Sequence, residues 1–165
     1  MRVLGWIVIG LFAAQLAQAG YAQRIVEVAK NYRANLDGDR FYGERYSDAT
    51  TANGRLACAR VVQIVLKKAR VPGFRRALYG VRQIEAKTRS WKKITNVREI
   101  KAGDVVFWRK AGQDERCSGG GDCHVGVAVS GTQSLDNDGL WGAPSISRIR
   151  WRLRWRFMYA RRPAN

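Results

Sequence analysis

The sequence predicts an α+β fold, with helices in its N-terminal half and an antiparallel sheet in its C-terminal half. Three observations carry this. Up to about residue 89 the apolar residues recur at helical spacing. Beyond Trp91 they fall in short runs or alternate, as in strands. Clusters of Gly, Asp, Asn and Ser punctuate those runs at hairpin spacing. The 165 residues suffice for one compact domain.

The chain opens with MRVLGWIVIGLFAAQLAQAG: a basic Arg2, an apolar run from Val3 to Ala14, then Ala17-Gln18-Ala19. This is the pattern of a secretory signal peptide (1–19) cut after a small-x-small site, and the run is short for a bilayer span. The expected product is a periplasmic or secreted domain over residues 20–165, without a transmembrane anchor. Residues 23–34 read as a helix with Ile25, Val28, Ala29 and Tyr32 on one face. Residues 36–54, rich in Asp, Gly, Ser, Thr and Asn, read as a long loop with little regular structure, packed down through Phe41, Tyr42 and Tyr46. Loops of this length in small domains are often functional.

Residues 56–70 are densely apolar and end in Lys67, Lys68 and Arg70. They predict a buried helix with its basic end at the favourable C-terminal pole, stopped by Pro72-Gly73. A second helix is expected over residues 75–89. Lys101-Ala102-Gly103-Asp104 is a turn into a buried strand, Val105 to Trp108. After a polar, Gly-rich insertion, His124 begins a second apolar strand reaching Ser130. Gly131-Thr132 turns it into a short strand from Gln133 to Asn137. From Ser147 to Phe157 the sequence alternates strictly: Ile149, Trp151, Leu153, Trp155 and Phe157 on one face, Arg148, Arg150, Arg152, Arg154 and Arg156 on the other. One continuous amphipathic strand is expected there.

The formal net charge is +17, and losing the signal peptide removes only Arg2. Such a charge calls for an anionic partner. Export points to cell-wall polymers or other anionic envelope components and away from nucleic acid. Like charges along one strand face repel, and a polyanion that neutralises the five arginines would offset that.

Three cysteines in an exported protein suggest one bridge and one free thiol. Cys117 and Cys123 bracket a flexible SGGGD, and closing that loop would stabilise by about 2 kcal/mol on the chain-entropy argument. Cys58 is then the candidate reactive thiol. A zinc site built on Cys117, Cys123 and His124 fits poorly, because Cys-x5-Cys-His departs from the usual ligand spacings. No metal or cofactor is expected. Cys58 lies in the first turn of the predicted buried helix, where the N-terminal pole and a nearby imidazole both favour thiolate. His124, the chain's one histidine, begins a core strand. Arg60, one turn into the helix, is read as a solvated charge.

These residues lie in segments that resemble a known family. LACARVVQIVLKKARV resembles the nucleophile helix of the NlpC-type papain-like peptidases of bacterial cell walls, to which the CHAP-type amidases are related. IKAGDVVFWRK is similar to the turn and strand that precede the family's histidine, and HVGVAVSGTQSLDNDG to its histidine strand, hairpin and third polar residue. The resemblance covers about residues 53–139. It implies a papain-like α+β fold, with helices packed on a small antiparallel sheet and the nucleophile at a helix N-terminus. It also implies Cys58 as nucleophile, His124 as base, and hydrolysis of amide bonds in peptidoglycan peptides. The residue orienting the imidazole is Asn137 or Asp136, which point to opposite faces of a regular strand; similar family members favour the amide, Asn137, and a one-residue register shift would select Asp136. The sequence departs from the commoner family motif, Asp-Cys-Ser-Gly, in having Ala57-Cys58-Ala59-Arg60. A catalytically inactive, basic envelope-binding module is the alternative that this departure leaves open.

Overall fold

The computed structural model describes residues 20–112, 122–150 and 155–164. The expected signal peptide, Cys117, Arg152 and Arg154 lie outside them. In chain order the elements are helix α1 (Tyr21–Lys30) and the two-residue strands β1 (Leu36–Asp37), β2 (Arg40–Phe41) and β3 (Glu44–Arg45). Helices α2 (Cys58–Lys68) and α3 (Val81–Lys87) follow, then β4 (Lys92–Ile94) and β5 (Val105–Lys110). The chain closes with β6 (Cys123–Ala128), β7 (Gln133–Asp138), β8 (Ala143–Arg148) and β9 (Trp155–Arg162). The first three strands make a small antiparallel meander, and the other six one antiparallel sheet in the order β4-β9-β5-β6-β7-β8. The fold is therefore α+β, helices first.

Strand alternation divides the core in two. Val105 and Phe107 of β5, Val125 and Val127 of β6, and Leu135 of β7 face the helices. There they meet Ile25 and Ala29 of α1 and the apolar side chains of α2. Val106, Trp108, Ala128 and Ala160 face the other way, beneath Ile94, Ile100 and Ile149. Helix α2 is wedged between the sheet, α1 and the meander, which is why every residue from Cys58 to Leu66 is buried. Its basic Lys67 and Lys68 sit at the C-terminal pole, where cations are favoured. The turn before β5 docks against α1: Gly103 has φ +92°, and a Cβ there would come within 2.6 Å of Ala22 Cα. Arg162 of β9 closes the same turn with two 2.8 Å bonds to the buried Asp104 carboxylate.

The structure corrects four expectations. Residues 36–45 form the β1–β3 meander rather than irregular loop, although Phe41 and Tyr46 are buried as expected. The second helix is only Val81–Lys87. Gln83 Oε1 accepts the Tyr79 and Gly80 N–H groups at 3.0 Å, so its side chain fixes the helix start at Gly80. Arg60 is buried, not solvated: its guanidinium pairs with Glu44 at 3.2 Å and bonds Gln63 and the Arg45 carbonyl, fastening the meander to α2.

The alternating segment after Ser147 is two strands, not one. β8 pairs with β7 at one edge, whereas β9 pairs with β5 and β4 beyond three intervening strands. The chain leaves the first edge at Ile149, which is buried and accepts the Trp108 indole N–H at 3.2 Å through its carbonyl. Arg148 and Arg150 flank the buried Ile149 and are exposed, as is Arg156 in β9.

Candidate active site

Cys58 reaches its position through a tightly determined turn. Asp48 and Thr51 cap each other reciprocally, Thr51 N–H donating to Asp48 Oδ1 at 3.0 Å and Asp48 N–H to Thr51 Oγ1 at 2.9 Å. Ala52, Asn53 and Gly54 then take positive φ angles of 49°, 53° and 89°. Only glycine fits at the last, since a Cβ on Gly54 would lie 2.3 Å from the Gly142 carbonyl oxygen. The Leu56 N–H donates to the Thr51 carbonyl at 2.9 Å and the Ala57 N–H to the Gly54 carbonyl at 3.2 Å, and the helix begins at Cys58. No side chain caps it: Ala57 occupies the N-cap with nothing to donate or accept. Cys58 is a free thiol, 8% exposed.

The sheet brings the imidazole to the sulfur. The β6–β7 ladder runs only from Gly126↔Asp136 to Ala128↔Ser134, so the start of β6 lies beyond it. There the Val125 N–H donates to the Cys58 sulfur, as does the Ala59 N–H of the helix's first turn. His124, opposite Trp108 across β5, hydrogen-bonds the sulfur through its ring. That ring packs against two indoles, Trp108 at 5.6 Å and Trp155 at 5.3 Å between centroids.

Asp136, not Asn137, meets the imidazole. Its Oδ1 lies 3.2 Å from His124 Nε2, which leaves Nδ1 for the sulfur. Its Oδ2 accepts the Ser134 hydroxyl at 3.0 Å and the Ser147 hydroxyl at 3.3 Å, so the carboxylate is aimed from both sides. Asn137, one residue on, projects from the other face, and its Nδ2 donates to the Gly54 carbonyl at 2.5 Å. It braces the turn ahead of Cys58 instead of the ring. Gly126 makes the Asp136 placement feasible. It stands directly opposite in the ladder, and a Cβ there would come within 2.8 Å of Asp136 Cβ and 3.2 Å of the Trp108 ring.

Burial acts against charge at both groups, and the partners overcome it. For Cys58, burial pushes the thiol up, but the His124 hydrogen bond and charge, with the two backbone donors, bring it below the ordinary value. For His124, burial pulls the imidazole down, while the hydrogen bond to Asp136, the bond and charge of Cys58 and the Asp136 charge raise it to about 9. Both shifts favour the same ionised form, a thiolate beside an imidazolium.

Cys123, adjacent to His124, is disulfide-bonded; its expected partner, Cys117, is outside the described residues. Among the described residues, no three His, Cys, Asp or Glu side chains are grouped to hold a metal ion, and no helix is long and apolar enough to cross a membrane. Sequence reading passed over Gly126, Gly54, Ser134, Ser147, Trp108 and Trp155. Gly126 left a signal: a glycine inside an apolar strand marks close approach by another group. The two serines left none, because their role depends on strand pairing. Comparison with protein-family models gives no match, and neither does comparison with curated proteins.

Proposed function

We propose that this chain is an exported cysteine hydrolase of papain-like fold, akin to the NlpC-type enzymes, that cuts amide bonds in peptidoglycan peptides. One observation carries the reading: a free cysteine at a helix N-terminus bonded to an imidazole that a buried, doubly braced carboxylate holds from behind. That is a nucleophile, a base and an orienting residue. The substrate class follows from the resemblance of residues 53–139 to the cell-wall enzymes and from the anionic partner that the charge of +17 requires.

The Cys58 thiolate attacks the amide carbonyl carbon, and the electron pair of the C=O bond moves onto oxygen. Amides of the first turn of α2, left without a side-chain cap, are suited to receive that oxyanion, so the absence of the family's usual Asp and Ser does not remove the electrostatic requirement. The His124 Nδ1 proton passes to the departing amine as the C–N bond breaks, leaving a thioester. The now neutral imidazole takes a proton from water, whose oxygen attacks the thioester and releases the acid and the thiolate. Asp136 fixes the ring orientation throughout and stabilises its cationic form. Trp108 and Trp155 keep water from the imidazole, which strengthens both of its bonds.

The test is digestion of purified peptidoglycan by the mature protein and by Cys58→Ala. The reading predicts newly released amines from the wild type and none from the variant, with mass analysis identifying the bond. No release by a folded wild type would point to the inactive, envelope-binding alternative. We also propose that exposed arginines, among them Arg148, Arg150 and Arg156, hold the enzyme on anionic envelope polymer. Retention on sacculi in low salt should fall when these three are changed to Ser, and unchanged retention would remove that role.

A further inference from the structure

Beside the catalytic turn runs an open groove of about 540 Å³, walled by Ala52, Asn53 and Arg55 on one side and by Leu140, Trp141 and Gly142 on the other. It joins two loops that are locked together, because Gly54 seats against the Gly142 carbonyl and a Cβ at Gly142 would come within 3.1 Å of the Asn53 carbonyl oxygen. We infer that this groove is a glycan subsite, taking a sugar ring of the substrate next to the scissile bond. This rests on the proposed hydrolase function.

Trp141 and Leu140 are 79% and 81% exposed at the tip of the β7–β8 hairpin, and Leu56 of the opposing segment is 47% exposed. Of the large apolar side chains exposed among the described residues, only Tyr79 lies outside these two loops. Clustered exposure of this kind marks a binding surface, whereas scattered exposure does not. The loop is also built, not slack: the Asp138 carboxylate accepts the Leu140 N–H at 2.8 Å and the Trp141 N–H at 3.4 Å, and the Gly142 N–H closes back to the Asp138 carbonyl at 2.7 Å. The fold thus spends specific hydrogen bonds on holding an indole in water.

An exposed indole presents a broad, electron-rich face that matches the C–H face of a pyranose. Arg55 and Asn53, both exposed on the opposite wall, supply donors for acyl and hydroxyl oxygens around the ring's edge. A flat apolar platform with polar groups at its rim is the arrangement that orients a sugar. Arg55 is three residues before Cys58, so the groove's wall ends within about 10 Å of the nucleophile's backbone. A sugar bound there sits only about three residues of extended peptide from the cleaved bond, which places that bond in the part of the stem near the glycan.

The test uses the mature Cys58→Ala protein, so that binding is read without hydrolysis. Peptide-free glycan strands and, separately, free stem peptide are titrated in, and the Trp141 indole N–H is followed by NMR. Saturable movement of that signal with glycan is expected, with at least about tenfold weaker binding in Cys58→Ala/Trp141→Ala and a smaller loss in Cys58→Ala/Arg55→Ser. Both side chains are exposed, so unchanged melting temperatures should accompany these losses. Equal glycan affinity in the Trp141→Ala protein, no glycan binding at all, or movement of Trp141 by the free peptide alone would overturn the subsite. Failure of the wild type to cut peptidoglycan while the Trp141-dependent glycan binding persists would sink the hydrolase reading and leave the groove assignment standing.

Discussion

The His124 imidazole sits in a place where burial alone would strip its charge, yet it keeps a proton up to about pH 9. The hydrogen bond to Asp136 is the largest single contribution that raises it, with Cys58 next, and this yields a signed expectation. Hydrolysis needs a protonated imidazole to release the amine, so the rate should fall as pH rises through about 9. In Asp136→Asn the carboxylate's hydrogen bond and charge are lost, the imidazole titrates lower, and the alkaline limb moves to lower pH with a loss of about 10²-fold in kcat. Asn137→Ala should leave that limb in place, since its amide bonds Gly54 and not the ring; a shift there instead would reassign the orienting role. The raised imidazole also links to stability. Its contribution is complete below 6.5 and is lost as pH rises through about 9. At this scale Cys58 and His124 were legible in the sequence: cysteine arithmetic freed one thiol, and the chain has one histidine. The third residue was not, because strand parity decides between Asp136 and Asn137, and parity is set by a pairing that places Gly126 opposite Asp136.

Elements deliver these residues, and the delivery depends on two glycines. Gly126→Ala would press a methyl group on Asp136 and Trp108, so its rate–pH profile should resemble that of Asp136→Asn while Cys58 alkylation persists. Gly54→Ala, at φ +89° and facing the Gly142 backbone, meets a harder obstacle and should lower both activity and melting temperature. A normal melting temperature in that variant would contradict the tight junction of the two loops. Removing the Arg60 guanidinium leaves Glu44 with Lys67 and Lys68 but takes the donor from the buried Gln63 side chain and the Arg45 carbonyl; Arg60→Ala should cost about 2 kcal/mol in urea unfolding. Helix α2 was legible because its apolar density and basic end belong to one short segment. The meander was not, because two-residue strands carry no periodicity. Nor was the break after Arg148: strict alternation describes β8 and β9 equally well as one strand or two, and only their long-range partners separate them.

Across the whole molecule, the order of helices before sheet could be read from the sequence, while the strand order β4-β9-β5-β6-β7-β8 could not, since the last strand inserts beside β5 across the sheet from β8. That insertion matters for the site: it brings Trp155 from the C-terminal strand onto the His124 ring. The charge of +17 belongs to this scale too, and binding to sacculi should weaken steeply as salt rises, with the dependence shallower in the Arg148, Arg150 and Arg156→Ser protein.

The most direct test of the account is the pH dependence of Cys58 alkylation by iodoacetamide, with the modified site located by mass spectrometry. An ionised pair predicts a rate already at its plateau at neutral pH, and Asp136→Asn should shift the titration. A rate that climbs toward pH 9 as for an ordinary thiol, and does so equally in Asp136→Asn, would contradict the thiolate–imidazolium pair on which the proposed mechanism stands.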